Sequence, residues 1–310
     1  MSSPAVSAVA AHDPPLQLPL PARGGIRPPP PEAARPFIKW AGGKRRLVPE
    51  LMRRAPTGFG RYHEPFAGGA ALFFGLAHDL EVRGQGPAEG WAVLSDTNLR
   101  LVRTYRAVRD DVEGLIARLR DYAECHDKDH YYEIRSLDVD AMEDDADVAA
   151  WFIYLNKTGF NGLYRVNRKG NFNVPIGRYK DPRVCDTENL RACHRVLQGA
   201  EIRYEGFDAV LDRAEAGDFV YFDPPYVPAS ATASFTSYTK HGFDISDQLR
   251  LADVARKLKE KGVSVILSNS DTPPVRKMYQ RGFTRRQVMM TRAINSKASA
   301  RGAVPELIIS

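Results

Sequence analysis

The sequence predicts an α/β fold: a doubly wound, mostly parallel sheet carrying a helical and hairpin insert. Three observations lead there. Short, near-continuous apolar runs alternate with helical patterns, as strands buried on both faces alternate with the helices that cover them. Those runs end in small or acidic residues. A stretch in the middle abandons the rhythm and reads as an insertion between two halves of the sheet.

In chain order, residues 1–36 hold many prolines and no aromatic residue. Such a segment cannot bury enough apolar surface to offset its ordering entropy, so a disordered tail is expected, with polyproline II character near Pro28 to Pro31. An adaptor-binding PxxP role is the alternative. The folded part begins at Phe37. Expected strands cover 62–66, 91–94, 219–222 and 263–267. A helix begins near Ala71, and residues 99–119 and 245–258 space their apolar side chains at three and four. Asp244-Ile245-Ser246-Asp247 supplies N-cap chemistry for the last of these. Residues 121–150 are rich in acids, 151–154 are apolar, and 156–183 are rich in Asn, Gly and base. The sheet domain is therefore assigned to 37–97 and 200–310, and the insert to 98–199.

Composition excludes several classes. Hydrophobic residues at 43% and charged residues at 26% are globular values. Cys125, Cys185 and Cys193 form neither a disulfide framework nor a CxxC metal motif, so free thiols in a reducing cytoplasm are expected. No secretory signal and no apolar run near the roughly 20 residues of a membrane helix is visible.

Candidate chemistry begins at Glu64-Pro65-Phe66-Ala67-Gly68-Gly69-Ala70, between an expected strand and helix. Glycines here let backbone approach a ligand. The spacing is neither GxGxxG nor a P-loop, and Gly42-Gly43-Lys44 fails as a P-loop because Arg45 follows. Asp96 ends the second expected strand, where a carboxylate is placed either to bind ribose hydroxyls or to cap the next helix. Asp223-Pro224-Pro225-Tyr226 follows the apolar run 219–222, and a rigid turn is its plain reading. Chemistry favours more. The exocyclic amine of adenine is a poor nucleophile because its lone pair is delocalised. The Asp223 carboxylate and the Pro224 carbonyl can each accept one N–H and localise that pair. Neither proline has an N–H, so the turn is stiff and its carbonyls stay available. Tyr226 offers a face on which a flipped base can stack.

With these motifs in this order, residues 37 to 309 resemble the Dam-type N6-adenine DNA methyltransferases, which use S-adenosylmethionine. Phe37-Ile38-Lys39-Trp40-Ala41-Gly42-Gly43-Lys44 is similar to the family's N-terminal cofactor motif. Pro65 to Gly69 is similar to its glycine motif, Ser95-Asp96-Thr97-Asn98 to its ribose-binding strand end, and Asp223 to Tyr226 to its catalytic motif. The Ser230-Ala231-Thr232-Ala233-Ser234-Phe235-Thr236 segment resembles the loop that follows. The resemblance implies a sheet of the S-adenosylmethionine-dependent methyltransferase type. It implies that Trp40, Ala41, Lys44, Pro65, Phe66, Gly68, Asp96, Phe207 and Asp223 bind the cofactor. Residue chemistry alone would make Trp40 and Phe207 core aromatics. Direct transfer without a covalent enzyme intermediate and without a metal is expected.

The insert supplies a partner. Residues 157–183 carry seven bases against Asp181, with Phe160, Tyr164, Phe172 and Tyr179 interleaved. That suits phosphate contacts with stacking or wedge insertion, where a solvated charged face is the plainer reading. Asn161 to Arg165 and Phe172 to Tyr179 also resemble the family's target-recognition hairpin. By that resemblance Phe160 would wedge into duplex DNA, and Lys157, Asn161, Leu163, Arg165, Asn167, Pro175, Arg178 and Tyr179 would contact it. GATC is the expected site, on a monomeric, cytoplasmic, nucleoid-associated enzyme. Membership of a restriction-modification system stays open, as do a solitary or a phage-borne role. The rivals are an enzyme acting on cytosine N4, an RNA base or a glutamine amide, a DNA-binding protein without catalysis, and a dinucleotide oxidoreductase. Asp223 speaks against the first, and intact Lys44 and Asp96 against the second. The whole chain carries a net +6. Segment 157–183 supplies a net +6 by itself, seven bases less one acid, so the remainder is neutral.

Overall fold

The computed structural model describes residues 33–40, 44–86, 88–227, 243–291 and 303–310. The expected tail through residue 32, Ala41 of the cofactor motif, and the segment 230–236 lie outside the described residues.

The chain runs through α1 (Val48–Met52), β1 (Tyr62–Glu64), α2 (Ala71–Val82), β2 (Ala92–Asp96), α3 (Leu99–Asp110), α4 (Val112–Glu124), α5 (Lys128–Ser136), α6 (Asp145–Thr158) and α7 (Thr187–Leu197). It continues through β3 (Ala200–Tyr204), α8 (Val210–Arg213), β4 (Phe219–Phe222), α9 (Ile245–Glu260), β5 (Ser264–Ser270), α10 (Pro273–Met278), β6 (Arg285–Thr291) and β7 (Ala303–Ile309). The sheet order is β3-β2-β1-β4-β5-β7-β6. β3 to β5 are parallel throughout, and β7 is antiparallel to both its neighbours. The chain winds outward from β1 in one direction, then returns to β4 and winds in the other. The order thus reverses between β1 and β4, paired through Tyr62 and Phe219. That is where doubly wound sheets open a ligand crevice beyond their strand ends.

Side-chain alternation divides the core between the two faces of the sheet. On β4, Phe219 and Tyr221 join the cluster beneath α2, α3 and α6, while Val220 and Phe222 join the one beneath α9. All four are buried, which is why this run reads as unbroken apolar sequence.

The expected helix over 99–119 is two helices. Asp111 leaves the helical region at φ −141° and caps α4, accepting from the Gly114 amide at 3.1 Å. A local cap overrides a continuous apolar spacing. Helix α6 is buried on nearly every side and packs against α3, α4 and α5. The acidic stretch before it is largely paired. Arg100 binds Asp140, Arg103 binds Asp145, and Arg118 binds both Asp144 and Asp147. Asp145 and Asp147 also sit in the first turn of α6, where a negative charge suits the helix dipole.

Candidate active site

The glycine turn leaves β1 at the reversal point and is tied to β2 by the Ala67 amide, which donates to the Ser95 carbonyl at 3.0 Å. Gly68 has φ +46°, and a Cβ there would lie 2.7 Å from Trp40 Cδ1. Only glycine allows both the left-handed backbone and the close approach. The Gly68 amide donates to Asp96 Oδ2 at 3.1 Å, and its carbonyl accepts from the Tyr105 hydroxyl at 3.0 Å. Asp96 Oδ1 accepts from the Asn98 amide at 2.9 Å. The cap of α3 is Asn98, whose side chain accepts from the Leu101 amide, so Asp96 does not serve as that cap. Burial pushes the Asp96 carboxyl above its ordinary value, and the Asn98, Gly68 and Thr97 amides pull it back. Trp40, Gly68 and Asp96 therefore share one corner. Trp40 stacks on Phe152 and Tyr164 of the insert, at 6.3 and 5.8 Å between ring centres.

Pro65 is buried and Phe66 half-buried at the same strand ends. Phe66 lies face to face with Phe207 at 5.5 Å, and Phe243 packs edge-on against both. Arg250 covers Phe207 at 4.9 Å. No third ring fits between Phe66 and Phe207 at that spacing.

Asp223 leaves β4 beside this corner. Its Oδ1 accepts from Ser268 Oγ at 2.9 Å and lies 3.2 Å from Lys44 Nζ. Since Ser268 donates there, its contact with the Tyr221 hydroxyl at 3.0 Å has the tyrosine as donor. The Lys44 ammonium sits 4.0 Å over the Tyr226 ring and 3.9 Å from Glu306 Oε2. That same oxygen accepts from the Tyr226 hydroxyl at 3.0 Å. Burial pushes the Asp223 carboxyl up, and Lys44 and the Ser268 hydroxyl bring it back down. Gln248 donates to the Pro225 carbonyl at 2.7 Å, and Asn269 donates to Gln248 at 2.9 Å. Among the described residues no donor reaches the Pro224 carbonyl. The turn therefore carries the Asp223 carboxylate and, next in sequence, a Pro224 carbonyl that accepts no hydrogen bond among the described residues.

Ser268, Gln248, Asn269 and Glu306 were not singled out from sequence. Their signal is polarity inside strands or helix faces that are otherwise buried. Ser268 and Asn269 are fully buried on β5, and Glu306 is 7% exposed on β7. Glu64 is a further buried acid near Asp223. It accepts from the Tyr62 hydroxyl at 2.8 Å and the Phe73 amide at 3.2 Å, and burial pushes its carboxyl up to about 8.

The insert's basic segment folds as a hairpin, with Gly159 opposite Ile176 and Val166 opposite Phe172. Phe160, Asn161, Arg165, Asn167, Pro175, Arg178 and Tyr179 are exposed along it, and Leu163 is half-buried. Arg165 is oriented by Asn173, donating to its side-chain oxygen at 2.7 Å and its carbonyl at 3.1 Å. Asn167 builds the tip, its Oδ1 accepting from the amides of Lys169 and Asn171 at 2.9 and 3.0 Å. Lys157 is half-buried behind the hairpin, where burial and then Lys39 push its ammonium down to about 8. The interleaved aromatics divide. Phe160 and Tyr179 are exposed, but Tyr164 and Phe172 are buried against Trp151 and Phe152, so the expectation of four stacking rings is corrected to two. Alternation along an antiparallel pair sends every second side chain inward.

Asn156 joins the hairpin to the segment leading into Trp40. It accepts from the Lys39 amide at 2.7 Å, donates to the Lys39 carbonyl at 2.7 Å, and donates to the Gly162 carbonyl at 3.1 Å. Gly162 has φ +62°, and a Cβ there would collide with the Lys39 side chain. Among the described residues no helix is long and apolar enough to cross a membrane, and no cluster of His, Cys, Asp or Glu is placed to hold a metal.

Comparison with known proteins agrees with this geometry. Residues 40–294 match the family model described as D12 class N6 adenine-specific DNA methyltransferase. The type II methyltransferase M1.LlaDCHI of Lactococcus lactis subsp. cremoris is 41% identical over 281 residues, covering 89% of this chain and 95% of its own. The type II methyltransferase M.MjaIII of Methanocaldococcus jannaschii is 40% identical over 292 residues, covering 89% and 98%. The DNA adenine methylase of Escherichia coli K12 is 34% identical over 276 residues, covering 88% and 94%.

Proposed function

The chain belongs to the D12 class of N6 adenine-specific DNA methyltransferases, and from that premise we propose that it methylates a flipped adenine within GATC in duplex DNA. The family implies S-adenosylmethionine as donor, a sulfonium whose methyl group is open to attack by a nitrogen lone pair. The pocket fits such a nucleoside on two observations. The left-handed Gly68 lets backbone come close, and the half-buried Asp96 holds a carboxylate that pairs with no cation among the described residues and can accept ribose hydroxyls. Trp40, Lys44, Pro65, Phe66, Phe207 and Asp223 line the remainder.

The observation that carries the reading is Asp223, held by Lys44 and Ser268 in the same turn as a Pro224 carbonyl that no donor reaches among the described residues. Asp223 accepts one N–H of the target amine and Pro224 the other, which returns the lone pair to nitrogen. Pro225 and Gln248 stiffen the turn so that both acceptors are in place before the amine arrives. Lys44 favours the ionised form of Asp223 against the upward push of its burial and covers one face of Tyr226, leaving the other face for a base to stack on. The proton lost after transfer comes from a strongly acidic ammonium and passes to water.

Residues 98–199 serve as the DNA-reading insert. Phe160 wedges into the stack, Arg165 and Asn161 read base edges with Leu163 and Pro175, and Asn167, Arg178 and Tyr179 lie along the backbone, while Lys157, half-buried behind the hairpin, does not reach it. The enzyme acts as a monomer on DNA in the cytoplasm. The test is labelled methyl transfer to duplexes in which each base pair of GATC is replaced in turn, followed by identification of the modified base. N6-methyladenine confined to GATC is expected. Label on cytosine, or equal label on every duplex, contradicts the proposal.

A further inference from the structure

Two carboxylates and one ammonium meet behind the target-amine site. Asp223 lies 3.2 Å from Lys44 Nζ, and Glu306 reaches the same ammonium from another side at 3.9 Å. Glu306 stands on β7 opposite Ser270, is 7% exposed, and also accepts from the Tyr226 hydroxyl. Ser268 and Lys44 already hold Asp223, so the second carboxylate calls for its own explanation. One cation cannot neutralise two anions. The neighbouring Glu64, pushed up to about 8, is mostly neutral at pH 7 and leaves the balance unchanged. Among the described residues no other cation pairs with either carboxylate, so the cluster carries more acid than base. That is costly unless a bound cation meets it.

We propose that Glu306 is a positioning residue which, through Lys44, gives the pocket a standing negative charge and so selects a cationic methyl donor over its neutral product. This rests on S-adenosylmethionine being the donor. Its sulfonium carries the charge that S-adenosylhomocysteine, a thioether, has lost. A unit charge in a partly buried site discriminates by roughly tenfold or more. The device therefore favours exchange of spent cofactor for fresh.

The test is calorimetric titration with three ligands: S-adenosylmethionine, S-adenosylhomocysteine, and an analogue with an ammonium in place of the sulfonium. In the wild type both cationic ligands should bind more tightly than S-adenosylhomocysteine. Glu306→Gln should reduce that preference by roughly tenfold, while Glu306→Asp, which keeps the charge, should preserve the ratio even if all affinities drop. Equal affinities in the wild type overturn the inference whether or not the glutamine variant folds. So does a Glu306→Gln variant that weakens all three ligands in proportion, as a purely structural role would. A wild type that binds none of them overturns the donor assignment as well, and is told apart by that result.

Discussion

The pocket around Asp223 and the hairpin over 159–176 are built on opposite plans. In the pocket each polar group is held by partners from several strands: Asp223 by Ser268 of β5 and by Lys44, Tyr226 by Glu306 of β7. In the hairpin the exposed side chains stand on a ladder of local bonds, such as Phe160 to Pro175 and Asn173 to Arg165. The pocket is rigid before any ligand arrives, which transfer chemistry needs. The hairpin offers tips that can be exchanged without disturbing the sheet. Substitutions in the two regions should therefore fail in different ways.

The largest effect belongs to the pocket. Asp223→Ala should lower single-turnover methyl transfer by about a thousandfold or more, while gel-shift affinity for duplex DNA stays within a few-fold. Asn156→Ala tests the joint between the regions. It leaves the Lys39 amide and two carbonyls without their partner in a buried place, so urea unfolding should show a loss of about 1–3 kcal/mol.

Glu64 separates pocket stability from pocket chemistry. Its ordinary value is 4.5 and its folded value about 8, so between those limits the native state holds a proton that the unfolded chain has released. Stability should fall as pH rises from about 4.5 to about 8 and level off beyond. Urea midpoints measured across that range should change less steeply in Glu64→Gln. The smallest effect belongs to the hairpin. Arg178→Ala should weaken binding evenly across sequences and reduce the slope of log affinity against log salt by about 1.

Central strands were legible in the sequence because both their faces are buried: Phe219 to Phe222 is read from four consecutive apolar residues. The edges were not. β3 carries Glu201 and Arg203 between its apolar positions, and β6 opens with Arg285, Arg286 and Gln287. Lys44, Asp96 and Asp223 could be found because each belongs to a local motif. Ser268 and Glu306 could not, because only the sheet brings residues so distant in sequence to Asp223 and Lys44. Tyr164 and Phe172 were misplaced for a related reason. A charged neighbourhood says nothing about which way alternate side chains point.

The division between chemistry and reading is tested most directly by Arg165→Ala, measured as kcat at saturating GATC duplex and as the kcat/KM ratio between GATC and a duplex with its guanine pair replaced. The expected result is a kcat within a few-fold of wild type and a ratio that collapses by about 1–3 kcal/mol, roughly 5- to 150-fold. A kcat that falls as far as in Asp223→Ala, with the ratio unchanged, would contradict it.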